Sequence, residues 1–171
     1  GEDPHEVRVH VLTGAKDWRL AAWMLASWFH FTDLGWKIVV HDDGTLPEEA
    51  AETLQRIFRS ARVIPRYESD LALTKVLTPF PFCLDYRREH PLAMKLFDVL
   101  HFTEGERCMI FDSDLLFFRP PREILAWADD PNAMECWFNE DTRESSNVSA
   151  TEALAIQAGR RLVRLRTERP V

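Results

Sequence analysis

The residue types and spacing best suited to chemistry are found at Asp112-Ser113-Asp114, directly after the apolar stretch 107–111. Carboxylates at positions i and i+2 point to the same side of the chain while it is still extended. Hard oxygen donors in this arrangement suit Mg²⁺ or Mn²⁺, which keep coordination positions open for a diphosphate. We therefore predict that Asp112 and Asp114 bind a divalent metal ion that neutralises charge on a diphosphate leaving group. The alternative is a turn in which both aspartates cap the backbone.

A single lysine, Lys95, lies within the strongly apolar stretch 92–100, which is typical of a helix. One interpretation directs its ammonium group to the same diphosphate, where a compact point charge is useful. The other is a surface lysine that pairs with Asp98 one helical turn later. The spacing alone leaves both interpretations open.

A second acidic pair, Asp42-Asp43, follows another short apolar stretch and precedes Gly44. These carboxylates could accept hydrogen bonds from a nucleobase or a ribose. Alternatively, they belong to a glycine-assisted turn that enters a helix. Thr45 and Glu48 predict a capping box at the start of that helix.

These candidate residues depend on an alternation of strands and helices along the chain. The predicted strands are 7–13, 37–41, 62–64, 107–111 and 133–138, and the predicted helices are 17–31, 45–58, 69–78, 92–102, 122–128 and 150–159. Asp17 is expected to cap the first helix, whose aromatic side chains predict that it is buried. Pro79 and Pro81 are expected to end the third helix.

Strands separated by helices predict an α/β fold with a mostly parallel central sheet and helices on both faces. In such sheets ligands bind beyond the carboxyl ends of the strands. The loops at Thr13-Gly14, Asp42-Asp43-Gly44 and Asp112-Ser113-Asp114 are therefore expected at one edge of the sheet.

Composition limits the class of protein. The chain has 171 residues, 46% of them hydrophobic, and a net charge of −7. One domain over 1–171 is the expectation, and the negative charge disfavours a nucleic-acid partner because phosphate backbones need a dense basic surface. No apolar run approaches the ~20 residues that span a bilayer, and no signal peptide opens the chain. We therefore expect a cytoplasmic protein without a transmembrane segment, and a truncated one because it starts at Gly1 and lacks an ending signal.

The order of these motifs resembles the GT-A superfamily of glycosyltransferases, particularly the glycogenin-like and galactosyltransferase-like enzymes. The matching segments are Thr13-Gly14, the strand end 41–44, the helix start 90–95, and 109–121 around Asp-x-Asp. The resemblance covers roughly residues 7–140, and its most specific part is 90–125. It implies a GT-A type, Rossmann-like fold that moves a sugar from a nucleoside diphosphate sugar to an unknown saccharide, lipid or protein acceptor.

The resemblance also implies roles for individual residues. Asp112 and Asp114 would bind Mn²⁺ (or Mg²⁺), and Lys95 would touch the diphosphate. The nucleotide-binding set implied for the donor is Thr13, Gly14, Asp42, Asp43, Lys95, Asp112, Ser113 and Asp114. The family usually supplies a third metal ligand and acceptor-binding residues from a later segment, so we expect that C-terminal portion to be missing.

Two other classes of protein remain open at this point. Haloacid-dehalogenase-like phosphatases also place Asp-x-Asp after a strand, but usually after the first strand and as a nucleophile. In this sequence three predicted strands come before the strand that ends at Asp112. The other class is a nucleotide-binding module without catalytic activity.

Overall fold

The computed structural model describes residues 7–32, 35–103, 107–130 and 132–133. The chain divides into a first compact unit, Gly1–Pro131, and a second, Asn132–Val171, of which the structure describes only two residues. The predicted strand 133–138, apart from its first residue, and the predicted helix 150–159 lie outside the described residues. The expectation of one domain over 1–171 stays a prediction.

The described part of the first unit alternates strands and helices. The strands are β1 (Val7–Thr13), β2 (Ile38–Asp42), β3 (Ala61–Ile64) and β4 (Arg107–Phe111), and the helices are α1 (Trp18–Thr32), α2 (Glu48–Ile57), α3 (Arg66–Leu77), α4 (Pro81–Glu89), α5 (Met94–Phe102) and α6 (Arg122–Asp129). A 3-10 turn, Pro91–Ala93, leads directly into α5. Among the described residues, no helix is both long enough and apolar enough to cross a membrane.

The four strands form one parallel sheet in the order β3-β2-β1-β4. Val9 is paired with Ile38 on one side and with Met109 on the other, so β1 lies inside the sheet. The chain moves outward from β1 to β3 and then returns to the opposite side of β1. The boundary between β1 and β4 is therefore the topological switch point, where ligands bind in open parallel sheets.

Helices cover both faces of the sheet, as the sequence predicted. The alternation of side chains along β1 sends Val7, Val9 and Val11 to one face. There they pack with buried residues of α1, α2 and α6, including Met24, Trp28, Leu54 and Ala128. On the opposite face, Val39 and Ile64 pack with Leu73, Leu77 and Phe102 of α3 and α5. The structure therefore confirms an α/β fold with a parallel sheet between two helical layers.

The interior of the second helical layer contains a buried ion pair. The Arg87 guanidinium donates two hydrogen bonds of 2.8 Å to the Asp98 carboxylate, and both side chains are almost completely buried. Ser69 donates a further hydrogen bond to Asp98, and Arg87 also contacts Asp70 at 2.6 Å. These contacts tie α3, α4 and α5 together, and they leave no role for Asp98 as the partner of Lys95.

Several local predictions were wrong. Thr45 and Glu48 do not form a capping box, because α2 begins after Pro47 without a side-chain cap. The helix α4 was not predicted, although Pro81 suits the first turn of a helix, where no partner is needed for its missing N–H. The first helix is only half buried: Trp28 is fully enclosed, whereas Trp23 is 68% exposed.

Candidate functional site

A cleft of about 280 Å³ lies at the carboxyl ends of β1 and β4. Six residues of the predicted nucleotide-binding set line it, namely Thr13, Asp43, Lys95, Asp112, Ser113 and Asp114. Leu12, Asp17, Pro91 and Leu92 complete the lining. Gly14 and Asp42 are not part of it. The cleft lies at the switch point of the sheet, so the expectation that the strand ends meet at one edge is confirmed.

The two aspartates of the Asp-x-Asp motif are both exposed to solvent. The Lys95 ammonium forms an ion pair with the Asp112 carboxylate, whereas Asp114 has no hydrogen-bond or ion-pair partner among the described residues. Neither side chain accepts a hydrogen bond from a described backbone N–H. The structure therefore does not show the backbone-capping turn that was the alternative interpretation, and both carboxylates are accessible to a cation.

The metal ion that the cleft could hold depends on which side chains are available as ligands. The described residues contain no group of three or more His, Cys, Asp or Glu side chains placed to hold a metal ion. Mg²⁺ is commonly held by one or two carboxylates together with water and substrate phosphates. Asp112 and Asp114 fit an ion of that kind, which shares its ligands with a diphosphate. They do not fit an ion enclosed by protein side chains alone.

Asp17 is a cleft residue whose contacts the sequence did not reveal. It directly precedes α1, but its Oδ1 atom accepts hydrogen bonds from Gly14 N at 2.9 Å and Thr13 Oγ1 at 3.0 Å. Its Oδ2 atom accepts a hydrogen bond of 2.7 Å from the Ser113 hydroxyl. Burial opposes ionisation of this carboxyl, but the hydrogen bonds from Ser113, Gly14 and Thr13 outweigh it and lower its pKa. Asp17 is therefore an ionised link between the loops after β1 and β4.

The two aspartates at the end of β2 have different roles. Asp42 Oδ1 accepts hydrogen bonds from the backbone N–H groups of Gly44 at 2.7 Å and Leu46 at 2.9 Å. Its Oδ2 atom accepts one from the Arg66 N–H at 3.2 Å. Gly44 has a φ of 100°, which favours glycine. These contacts are those of the glycine-assisted turn, and they engage the Asp42 carboxylate outside the cleft.

Asp43, in contrast, lines the cleft. Its Oδ1 atom accepts hydrogen bonds from Thr45 N at 2.9 Å and Thr45 Oγ1 at 2.6 Å. The carboxylate also packs against Gly14, where an added Cβ would overlap it. Gly14 therefore permits the loops after β1 and β2 to approach each other closely. It shapes the cleft without lining it.

Together, the parallel sheet, its strand order and the cleft at its switch point define an α/β protein with a Rossmann-like sheet and a polar site made of one lysine and four carboxylates. The sequence matches no known protein family, and the chain shows no match to a curated protein or to a solved structure.

Proposed function

We propose that this chain binds a nucleoside diphosphate sugar together with Mn²⁺ or Mg²⁺, as the donor-binding part of a GT-A-type glycosyltransferase. The observation that carries the proposal is the convergence of Lys95, Asp112 and Asp114 on one cleft at the switch point. A diphosphate needs positive charge, and this cleft offers an ammonium group beside two carboxylates that suit a shared cation. The proposed acceptor is a saccharide, a lipid or a protein.

The chain's own residues would act by positioning and electrostatics. Asp112 and Asp114 would hold the metal ion, which when bound neutralises charge on the departing diphosphate. The Lys95 ammonium, at the amino end of α5, would contact a diphosphate oxygen as a second fixed positive charge. Thr13 and Asp43 lie in the same lining, and the Asp43 carboxylate would offer a polar contact to the nucleoside.

The position of the motif along the chain favours this function over a phosphatase. In haloacid-dehalogenase-like phosphatases, the nucleophilic aspartate usually follows the first strand. In this chain β1 ends at Thr13, whereas Asp112 follows β4 and forms an ion pair with Lys95. This position along the chain supports the proposed role in cation binding over that of a nucleophile.

The test is ligand-induced stabilisation of the full chain. We expect uridine, guanosine or adenosine diphosphates, free or sugar-linked, to raise the melting temperature only when Mn²⁺ is present. A ligand at 100 times its Kd adds about 2.7 kcal/mol, which corresponds to a shift of roughly 5–10 °C for a chain of this size. Asp112→Asn and Asp114→Asn should each abolish the shift. Asp129→Asn, which removes an exposed carboxylate from α6, is the matched control and should retain it.

Four outcomes would contradict the proposal. Stabilisation by none of these nucleotides would remove its basis, and so would unchanged binding in both Asp-x-Asp variants. Hydrolysis of p-nitrophenyl phosphate that depends on Asp112 would favour the phosphatase. Binding of a nucleotide sugar without hydrolysis or transfer to any acceptor, also in a longer chain, would favour a non-catalytic module.

A further inference from the structure

We propose that Asp17 is a positioning residue of the metal- and diphosphate-binding cleft, and that it acts through Ser113. This inference rests on the proposed function, because it concerns how the same cleft is held ready for its ligands. Asp17 is 96 residues from Ser113 in the sequence, and the contact exists only in the folded chain.

The sheet stops before it reaches the Asp-x-Asp motif. The last paired residues of β1 and β4 are Val11 and Phe111, so the backbone ladder does not reach the Asp-x-Asp motif. Beyond that pair, the bond from Ser113 Oγ to Asp17 Oδ2 is the only hydrogen bond between residues 12–17 and 112–116 in the described part of the chain. This contact is therefore the direct polar link between the two loops in the described part of the chain.

Asp17 is itself firmly held. Its other oxygen accepts hydrogen bonds from Gly14 N and Thr13 Oγ1, so both carboxylate oxygens have partners. An ionised carboxylate can only accept hydrogen bonds, so the Ser113 hydroxyl must be the donor. Such a charge-assisted bond is stronger than one between neutral groups. Ser113 lies between the two proposed metal ligands, and fixing it limits the positions that Asp112 and Asp114 can take.

Three variants separate positioning from direct action on the cation. Ser113→Ala removes the link and keeps the Asp17 charge, whereas Asp17→Ala removes both. Asp17→Asn removes the charge but keeps an oxygen for the loop and an amide that can donate to the Ser113 hydroxyl. The readouts are the Kd of Mn²⁺, followed by electron paramagnetic resonance, and the Kd of a nucleoside diphosphate in the presence of Mn²⁺, followed by calorimetry.

We expect Ser113→Ala and Asp17→Ala to weaken both affinities to a similar extent, roughly 10-fold. The double variant should be no weaker than either single variant, since both remove the same link. Asp17→Asn should weaken both affinities less than Asp17→Ala does. The matched control is Ser27→Ala, which removes the hydroxyl that accepts a hydrogen bond from Phe117 N after the motif. That change should lower stability without altering either affinity.

Two results would overturn the inference. If Ser113→Ala binds like the wild type while both Asp17 variants bind equally weakly, Asp17 acts by its own charge. If all three variants lower the melting temperature but leave both affinities unchanged well below it, Asp17 is a structural residue only. A wild-type chain that binds neither Mn²⁺ nor any nucleoside diphosphate would instead contradict the proposed function.

Discussion

Lys95 and Asp112 form an ion pair that joins α5 to the end of β4 across the candidate cleft. Their side chains are 29% and 58% exposed, so the pair contributes little to the stability of the fold. The ion pair would instead affect the binding of ligands in the cleft. A metal ion would compete with Lys95 for Asp112, and a diphosphate would attract Lys95 away from Asp112. Either ligand would therefore make one partner of the pair available to the other ligand.

Replacing Lys95 by Met should change the two affinities in opposite directions. Mn²⁺ alone should bind about two- to fivefold more tightly, because Asp112 is released from an exposed ion pair. A nucleoside diphosphate with Mn²⁺ should bind at least ~10-fold more weakly, because a charged hydrogen-bond donor is lost. Calorimetric titrations measure both. Lys75→Met, an equal change of charge at an exposed position of α3, is the control. Weaker binding of Mn²⁺ alone to the Lys95 variant would contradict the competition.

The contact between Gly14 and Asp43 predicts a substitution whose cost depends on its neighbour. Gly14→Ala should destabilise the fold by about 1–2 kcal/mol, because the new methyl group displaces the Asp43 carboxylate from its hydrogen bonds with Thr45. In an Asp43→Ala background the cost should be smaller. Urea unfolding measures both. Gly35→Ala serves as the control because, apart from its chain neighbours, no atom of the described residues lies within 4 Å of its added Cβ. Equal costs in the two backgrounds would show that Asp43 is not the obstacle.

The buried pair of Arg87 and Asp98 predicts a large loss of stability when one partner is removed. Arg87→Met leaves the Asp98 carboxylate, which is 0% exposed, without its charged partner. We expect this to lower the free energy of unfolding by about 3–5 kcal/mol. Adding Asp98→Leu should restore most of that loss, because the buried charge is then gone. Arg88→Met, at the adjacent exposed arginine of α4, should change the unfolding midpoint little. Similar losses of stability in the Arg87 and Arg88 variants would show that the buried ion pair is not the cause.

Two buried histidines predict how stability depends on pH. His10 Nδ1 and His41 Nε2 lie 2.9 Å apart, and both rings are at most 1% exposed. Burial, with the neighbouring His41, lowers the pKa of His10 to about 3, and burial lowers the pKa of His41 to about 4. The unfolded chain, with histidine pKa values near 6.5, takes up protons that the folded chain excludes.

The free energy of unfolding should therefore be constant above about pH 7 and fall as the pH decreases from 6.5 towards 4. The slope should approach ~1.4 kcal/mol per pH unit for each histidine. Urea unfolding between pH 5 and pH 8 measures it. Removing either ring, as in His10→Gln or His41→Gln, should reduce the slope, whereas His90→Gln at an exposed position should not. An unchanged slope in both buried variants would show that other groups titrate in this range.

The sequence by itself determined the class of fold and most of the candidate site. Strand-forming stretches separated by helices predicted a parallel α/β sheet, and the ends of those strands predicted the cleft that Thr13, Asp43 and Asp112 line. Such predictions succeed because side-chain periodicity and chain connectivity act locally, and parallel strands place their carboxyl ends at one edge. The missed helix α4 shows the limit of local signals, since proline both ends and begins helices.

Only the tertiary structure decided the partners of the charged residues. The spacing left Lys95 between Asp98 and the cleft, and the fold decided the matter by burying Asp98 against Arg87 and placing Asp112 beside Lys95. It also placed the Asp17 side chain, which was expected to cap α1, where it accepts a hydrogen bond from Ser113. Hydrogen bonds and ion pairs act over a few ångströms in space, and strand order brings together residues whose separation along the chain carries no such information.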